Sequence, residues 1–305
     1  MNFAQMAKRM FLFMLVNILV VTTISVVLGL LGVGRYFPHG GIAQLAVFCL
    51  IWGFGAALIS LALSRLTAKW FMGVRVVPED TTDPTLRQLV ETVHDLARRA
   101  NLPKMPQVGI YDSGDVNAFA TGPTKSRSLV AVSTGMLQKM DSRQVEGVLG
   151  HEVAHIANGD MVTMTLIQGV INAFVMFLSR VLAFAISQAL RREGERSSYW
   201  LQFALVFVFQ IVFSILGMMV VSWFSRWREY RADAGGAELA GRDNMINALR
   251  GLGRLYNPEL AAADAKQAQS FQTLKISSYR GGLAALFSTH PPIEQRIARL
   301  EKSFS

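Results

Sequence analysis

The 305-residue chain is poor in cysteine, in histidine and in charge: one Cys, five His, and only 17% Asp, Glu, Lys and Arg. A lone cysteine, Cys49, excludes any disulfide within the chain. It lies in an apolar run, where a small buried hydrophobe is the plain reading. Acidic residues are the scarcer sign, 21 against 30 basic ones, for a net charge of +9. That excess flanks apolar runs and is not interleaved with aromatics, so it speaks for a membrane and against a nucleic-acid partner. There is no Walker loop, no G-x-S-x-G and no internal repeat. These absences set aside P-loop nucleotide hydrolysis, the α/β-hydrolase nucleophile and solenoid folds. What is abundant is apolar surface: 51% hydrophobic residues and a mean hydropathy of +0.33, gathered into long runs.

Met10 to Leu31 and Ile42 to Leu63 each hold 22 residues without a charge. As helices they would be about 33 Å long, enough to cross a bilayer. The first is too long for a signal-peptide core and lacks a small-residue cleavage pattern, so it reads as an uncleaved span. Gly53 and Ala57 form a small-xxx-small pair that lets a neighbouring helix come close. Lys8, Arg9, Arg65, Lys69 and Arg75 lie near one set of span ends and Arg35 near the other. The imbalance puts the N-terminus and the segment after Ser64 in the cytoplasm. Met161 to Leu190, with Arg180 as its one charge, and Trp200 to Phe224, with none, read as a third and fourth span or as membrane-associated helices. Gln168, Asn172, Arg180 and Gln210 are costly against lipid and are expected to face the bundle, water or an interface.

Between these runs the chain changes character. Asp83-Pro84 opens a helix through Arg99 with Leu86, Leu89, Val90, Val93 and Leu96 at helical spacing. Val108–Tyr111, Val116–Thr121 and Ser128–Ser133 read as strands, with a turn at Gly122-Pro123 between the last two. Asp141 is placed to cap a further helix that carries His151-Glu152-Val153-Ala154-His155. Residues four apart share a helix face, so His151 and His155 can each offer a ring nitrogen to one zinc ion. Glu152, one residue round, can act as general base on the attacking water. The bland alternative is an incidental H-E-x-x-H on a solvated helix.

A catalytic zinc site needs a third protein ligand. The metzincin continuation is excluded, because Asn158 and Met161 stand where it needs Gly and His. Among later glutamates Glu229 is the best candidate. Asp233 follows four residues on, on the same helix face, and can fix the tautomer of a ligand histidine. Glu193, Glu195 and Glu238 have no such partner carboxylate. The competing reading is a juxtamembrane charge cluster of Arg226, Arg228, Glu229, Arg231 and Asp233.

Four apolar runs, H-E-V-A-H-I-A-N-G-D, E-Y-R-A-D and a late S-T-H-P-P-x-x-x-R together resemble the HtpX family of bacterial membrane zinc proteases. These are gluzincins related to the CAAX prenyl proteases. The resemblance covers nearly the whole chain in order. It implies one zinc per chain on His151, His155 and Glu229, with Glu152 as general base. It implies an endopeptidase of the inner membrane, acting on damaged or misfolded membrane proteins or unfolded polypeptides, with its protease domain facing the cytoplasm. Asn117-Ala118-Phe119-Ala120 resembles the edge strand that holds substrate backbone. His290 and Arg296 resemble a late pair near the site that can support it or stabilise the oxyanion.

The expected fold is therefore mainly α: four transmembrane or membrane-associated helices plus a cytoplasmic α+β zinc metallopeptidase domain of gluzincin type with a small sheet. Its parts are two N-terminal spans (1–64), the first protease segment (65–160), the third and fourth apolar helices (161–224) and the second protease segment (225–305). A scaffold or transporter with an inert motif is the rival function, and it predicts matched polar residues in two halves of the bundle, which are absent. An intramembrane protease would bury the motif in a span. Here Asp141, Arg143, Glu146, Asn158 and Asp160 flank it instead.

Overall fold

A computed structural model describes residues 41–190, 199–256 and 288–303. The elements run α1 (Ile42–Phe71), β1 (Arg75–Val76), α2 (Pro84–Arg99), β2 (Gln107–Tyr111), β3 (Ala118–Thr124), β4 (Arg127–Ser133), α3 (Thr134–Lys139), α4 (Ser142–Asn158), α5 (Asp160–Ala189), α6 (Tyr199–Ala240), α7 (Arg242–Tyr256) and α8 (Ile293–Ser303). The expected first span at Met10–Leu31, the arginine-rich segment at 191–196 and the Ala- and Gln-rich stretch at 258–272 lie outside the described residues.

The chain forms two compact units. One comprises the described part of Met1–Ile59 together with Leu166–Val220. Among the described residues, three helices are long and apolar enough to cross a membrane: α1, α5 and α6. Within this unit a side chain at Gly53 would sit 2.6 Å from the backbone nitrogen of Ala173, so α1 and α5 touch at backbone distance. This is the close approach that the small residues of α1 allow. Gln210 is buried, and Gln168 bonds Asn172 at 2.8 Å along α5. Both are ways of keeping amides from lipid.

The other unit comprises Ser60–Thr165 and Val221–Ser305. Its sheet has the order β1-β2-β4-β3, with β2 and β4 parallel and the other two pairs antiparallel. Strand β4 is central and buried from Ser128 to Ser133. Asp83 caps α2, accepting from the amides of Thr85 and Leu86, and Pro84 stands at its first turn. The buried face of α2 (Leu89, Val90, Val93, Leu96) joins Val130, Val132, Val148, Leu149, Val153 and Ile156 in one core. Each such side chain contributes about 1.5–3 kcal/mol on full burial. That core fixes α4 against the sheet.

One local expectation is corrected. The β3–β4 turn is at Lys125-Ser126, and Gly122-Pro123 lies inside β3. Gly122 has φ +142 within an irregular stretch between Thr121 and Thr124, and a side chain on it would collide with the Arg127 carbonyl at 2.2 Å. The glycine thus serves a bulge rather than a turn. The helix of the fourth apolar run extends beyond the run itself: α6 continues through Arg226, Glu229, Asp233 and Gly236 to Ala240.

Candidate metal centre

Helix α4 is built to hold its register. Asp141 accepts from the Gln144 amide at 2.9 Å and Gln144 returns a bond to the Asp141 amide, a capping box. At the other end Gly159 adopts φ +71, the left-handed cap that few side chains tolerate. His151 and His155 lie on the buried face between these ends.

Helix α6 lies against α4 through small residues. A side chain on Gly236 would stand 2.9 Å from the His151 nitrogen, and one on Gly235 would stand 2.9 Å from the Ala154 Cβ. This close approach brings Glu229 and Asp233 onto the histidines. Glu229 is 0% exposed. Its Oε2 is 3.4 Å from His151 Nε2 and its Oε1 3.4 Å from His155 Nε2. The two Nε2 atoms are 3.1 Å apart. Two ligands on a tetrahedral ion with arms of about 2.0–2.1 Å are separated by roughly 3.3–3.4 Å. The three donors thus have the spacing that one zinc-sized ion requires, and among the described residues they form the one such cluster of three.

The far nitrogens settle the chemistry of the donor set. His151 Nδ1 is 3.0 Å from Asp233 Oδ1, and His155 Nδ1 is 2.6 Å from Asp160 Oδ2. A carboxylate can only accept, so each Nδ1 carries its proton and donates. Both Nε2 atoms of the neutral rings then present lone pairs to each other and to a buried carboxylate. Such an arrangement is repulsive unless a cation sits among them. Without a metal, protons take that place. Burial lowers the His151 pKa, but bonds to Asp233 and Glu229 outweigh it and push it up to about 9. His155 is likewise raised: burial opposes, and bonds to Asp160 and Glu229 prevail.

The remaining residues named from sequence fall around this centre. Glu152 Oε2 accepts from the Ala120 amide at 2.8 Å. Among the described residues β3 pairs only with β4, which makes it an edge strand, and the Ala120 amide is turned away from β4 toward α4. Asn117 stands just before β3, tied to Ser133 by its amide and its carbonyl, and Ala118 is the first residue of the edge. His290 Nδ1 is 2.7 Å from Glu229 Oε2, with an exposed ring. Arg296 is buried and gives both Asp233 oxygens a bond, from Nε at 2.8 Å and Nη2 at 2.5 Å. The same Nη2 lies 3.5 Å from His151 Nδ1 and 3.8 Å from Glu229 Oε2. Sequence reasoning missed the contact of Asp160. The signal was there, an Asp directly after the capping Gly159, but Asp160 reads from sequence as a polar flank. Glu238 is not part of the centre.

Residues 84–303 match the family model for Peptidase family M48. The chain is 54% identical over 306 residues to a protease HtpX homolog of Bacillus licheniformis, covering 97% of this chain and 99% of that one. It is 53% identical over 305 residues to one from Bacillus subtilis, with the same coverage. The crystal structure of S. mikatae Ste24p aligns with a TM-score of 0.59 at 17% identity, covering 96% of this chain and 66% of that one. At that identity the likeness is one of fold, and the fold is the same mostly helical one with a small mixed sheet. With its apolar helices and a cluster of three side chains spaced to hold a metal ion, the chain belongs to peptidase family M48 and is an HtpX-type membrane metalloprotease.

Proposed function

We propose that this protein is a zinc-dependent endopeptidase of the bacterial inner membrane. It cleaves damaged or misfolded membrane proteins with a catalytic unit facing the cytoplasm. The observation that carries the reading is the convergence of His151, His155 and Glu229 from two helices, with Glu152 beside them. A scaffold or transporter gives no reason for three lone-pair donors to meet in a buried site.

His151, His155 and Glu229 would hold the ion, and Asp233 and Arg296 orient His151. A zinc ion there supplies Lewis-acid chemistry, polarising a carbonyl and acidifying water. Glu152 is the general base: its Oε2 is anchored by the Ala120 amide, which leaves Oε1 to take a proton from the attacking water and return it to the leaving amine. The outer edge of β3 from Asn117 and Ala118 onward receives an extended peptide by strand addition. His290, whose exposed ring bonds the buried Glu229, supports the oxyanion. The membrane part comprises 1–64 and 161–224, four helices in all, and the protease part 65–160 and 225–305.

The test is cleavage of a model membrane protein by purified protein and by Glu152→Gln. The amide cannot take the proton, so activity falls on the order of 10²–10⁴-fold while zinc stays. Full activity in that variant removes the proposed base. Reporters at Gln138 and Gly241 should both read cytoplasmic, and opposite readings would rule out a shared site.

A further inference from the structure

The two ligand histidines are steadied by different machinery. His151 leans on Asp233, which is clamped by Arg296. His155 leans on Asp160 alone: Nδ1 to Oδ2 is 2.6 Å, Asp160 is 2% exposed, and among the described residues no lysine or arginine pairs with it. The geometry depends on one backbone feature. Gly159 at φ +71 ends α4 and reverses the chain, so the next residue, the first of α5, points its carboxylate back at the ring four residues before Gly159. The start of a helix is also a favourable place for a carboxylate.

We propose that Asp160 is a positioning residue of the metal centre. By accepting the Nδ1 proton it holds His155 in the tautomer whose Nε2 lone pair faces His151 Nε2 and Glu229, and it fixes the rotation of the ring. It also ties the metal centre to the first residue of α5, one of the helices long and apolar enough to cross a membrane. Disturbance at the start of α5 is then felt as a change in metal affinity. The inference rests on the reading that His155 is a ligand, and it adds a residue that the E-x-x-x-D spacing of Glu229 and Asp233 does not reveal.

The experiment measures zinc affinity by chelator competition, together with the melting temperature with and without zinc, on full-length protein in detergent. The variants are Asp160→Ala, Asp160→Asn, Asp233→Ala and His155→Ala. Asp160→Ala should bind zinc about 10–100-fold more weakly, as should Asp233→Ala. Asp160→Asn keeps an acceptor oxygen at the same reach and should recover part of the loss. Zinc affinity unchanged in both Asp160 variants, while His155→Ala loses the metal, overturns the proposal and leaves the ligand set standing. A drop in metal-free melting at parental zinc affinity shows a purely structural aspartate and overturns it as well. If His155→Ala itself retains zinc, the ligand reading has failed and this inference falls with it. Should Asp160→Ala not fold, Asp160→Asn decides: weaker zinc binding supports the role, and parental binding overturns it.

Discussion

The two units of this protein obey opposite burial rules. In the unit that carries the candidate metal centre, charge is inside and paired: Glu229, Asp233, Asp160 and Arg296 are all buried, each against a histidine or a guanidinium. In the other unit large apolar side chains are outside, with Ile51, Phe174 and Phe203 exposed by 63%, 63% and 64%. Water punishes the second arrangement and lipid tolerates it. Helix α6 passes from one rule to the other along its own length, with Phe203, Val208, Val212 and Leu216 exposed early and Glu229 and Asp233 buried late. The comparison teaches that polar residues in this chain are costly where they face lipid and are gathered where opposite charges and ring N–H groups repay their burial.

If that contrast is right, removing the metal should strike one unit and spare the other. Chelation should abolish cleavage and lower the melting temperature of the catalytic unit. Metal at a thousand times its Kd is worth about 4.1 kcal/mol of stability, which is lost on stripping. The helical signal of the apolar helices in detergent should persist. Cleavage surviving in chelator would break the contrast at its root.

The next effect probes the edge of the sheet. Ala118→Pro removes an amide from the outer side of β3, and the loss of backbone pairing should lower cleavage on the order of 10²-fold with zinc retained. Unchanged turnover would mean that peptide pairs elsewhere.

Glycine substitutions compare the units directly. Gly236→Ala drives a methyl group to within 2.9 Å of the His151 backbone and should destabilise the catalytic unit by about 1–3 kcal/mol, read from thermal unfolding. Gly55 in α1 has nothing among the described residues within 4 Å of an added Cβ, so Gly55→Ala should be neutral or slightly stabilising. Equal losses at both positions would erase the difference in packing.

A further effect is one of pH. The raised pKa of His151 stabilises the metal-free fold fully below about 6.5, its unfolded value. That contribution is lost as pH rises through about 9. Metal binding must expel the same proton, so zinc affinity should climb over the same window, by up to about tenfold per unit for each proton displaced. A flat affinity between these limits would mean that His151 is not protonated in the metal-free site.

What the sequence displays is what short spacing controls. His151 and His155 were legible because four residues on a helix fix a distance, and Asp141 and Asp83 because caps act within three residues. Glu229 was legible as a candidate through Asp233, four residues on, yet its approach to α4 depends on Gly235 and Gly236 lying inside a continuous helix. Asp160 escaped notice because its role needs the reversal at Gly159, which spacing alone does not convey. Gly122-Pro123 was misplaced as a turn because a bulge glycine and a turn glycine share one letter. Strand β1 has only two residues, too short for any period to appear.

The central claim is that His151, His155 and Glu229 share one ion. The most direct measurement is the zinc content of the parent and of Glu229→Ala, purified side by side. The account predicts near one zinc per chain in the parent and near none in the variant, because two imidazoles alone are too few for a catalytic site. Parental zinc content in Glu229→Ala would contradict it and send the search for the third ligand to another carboxylate.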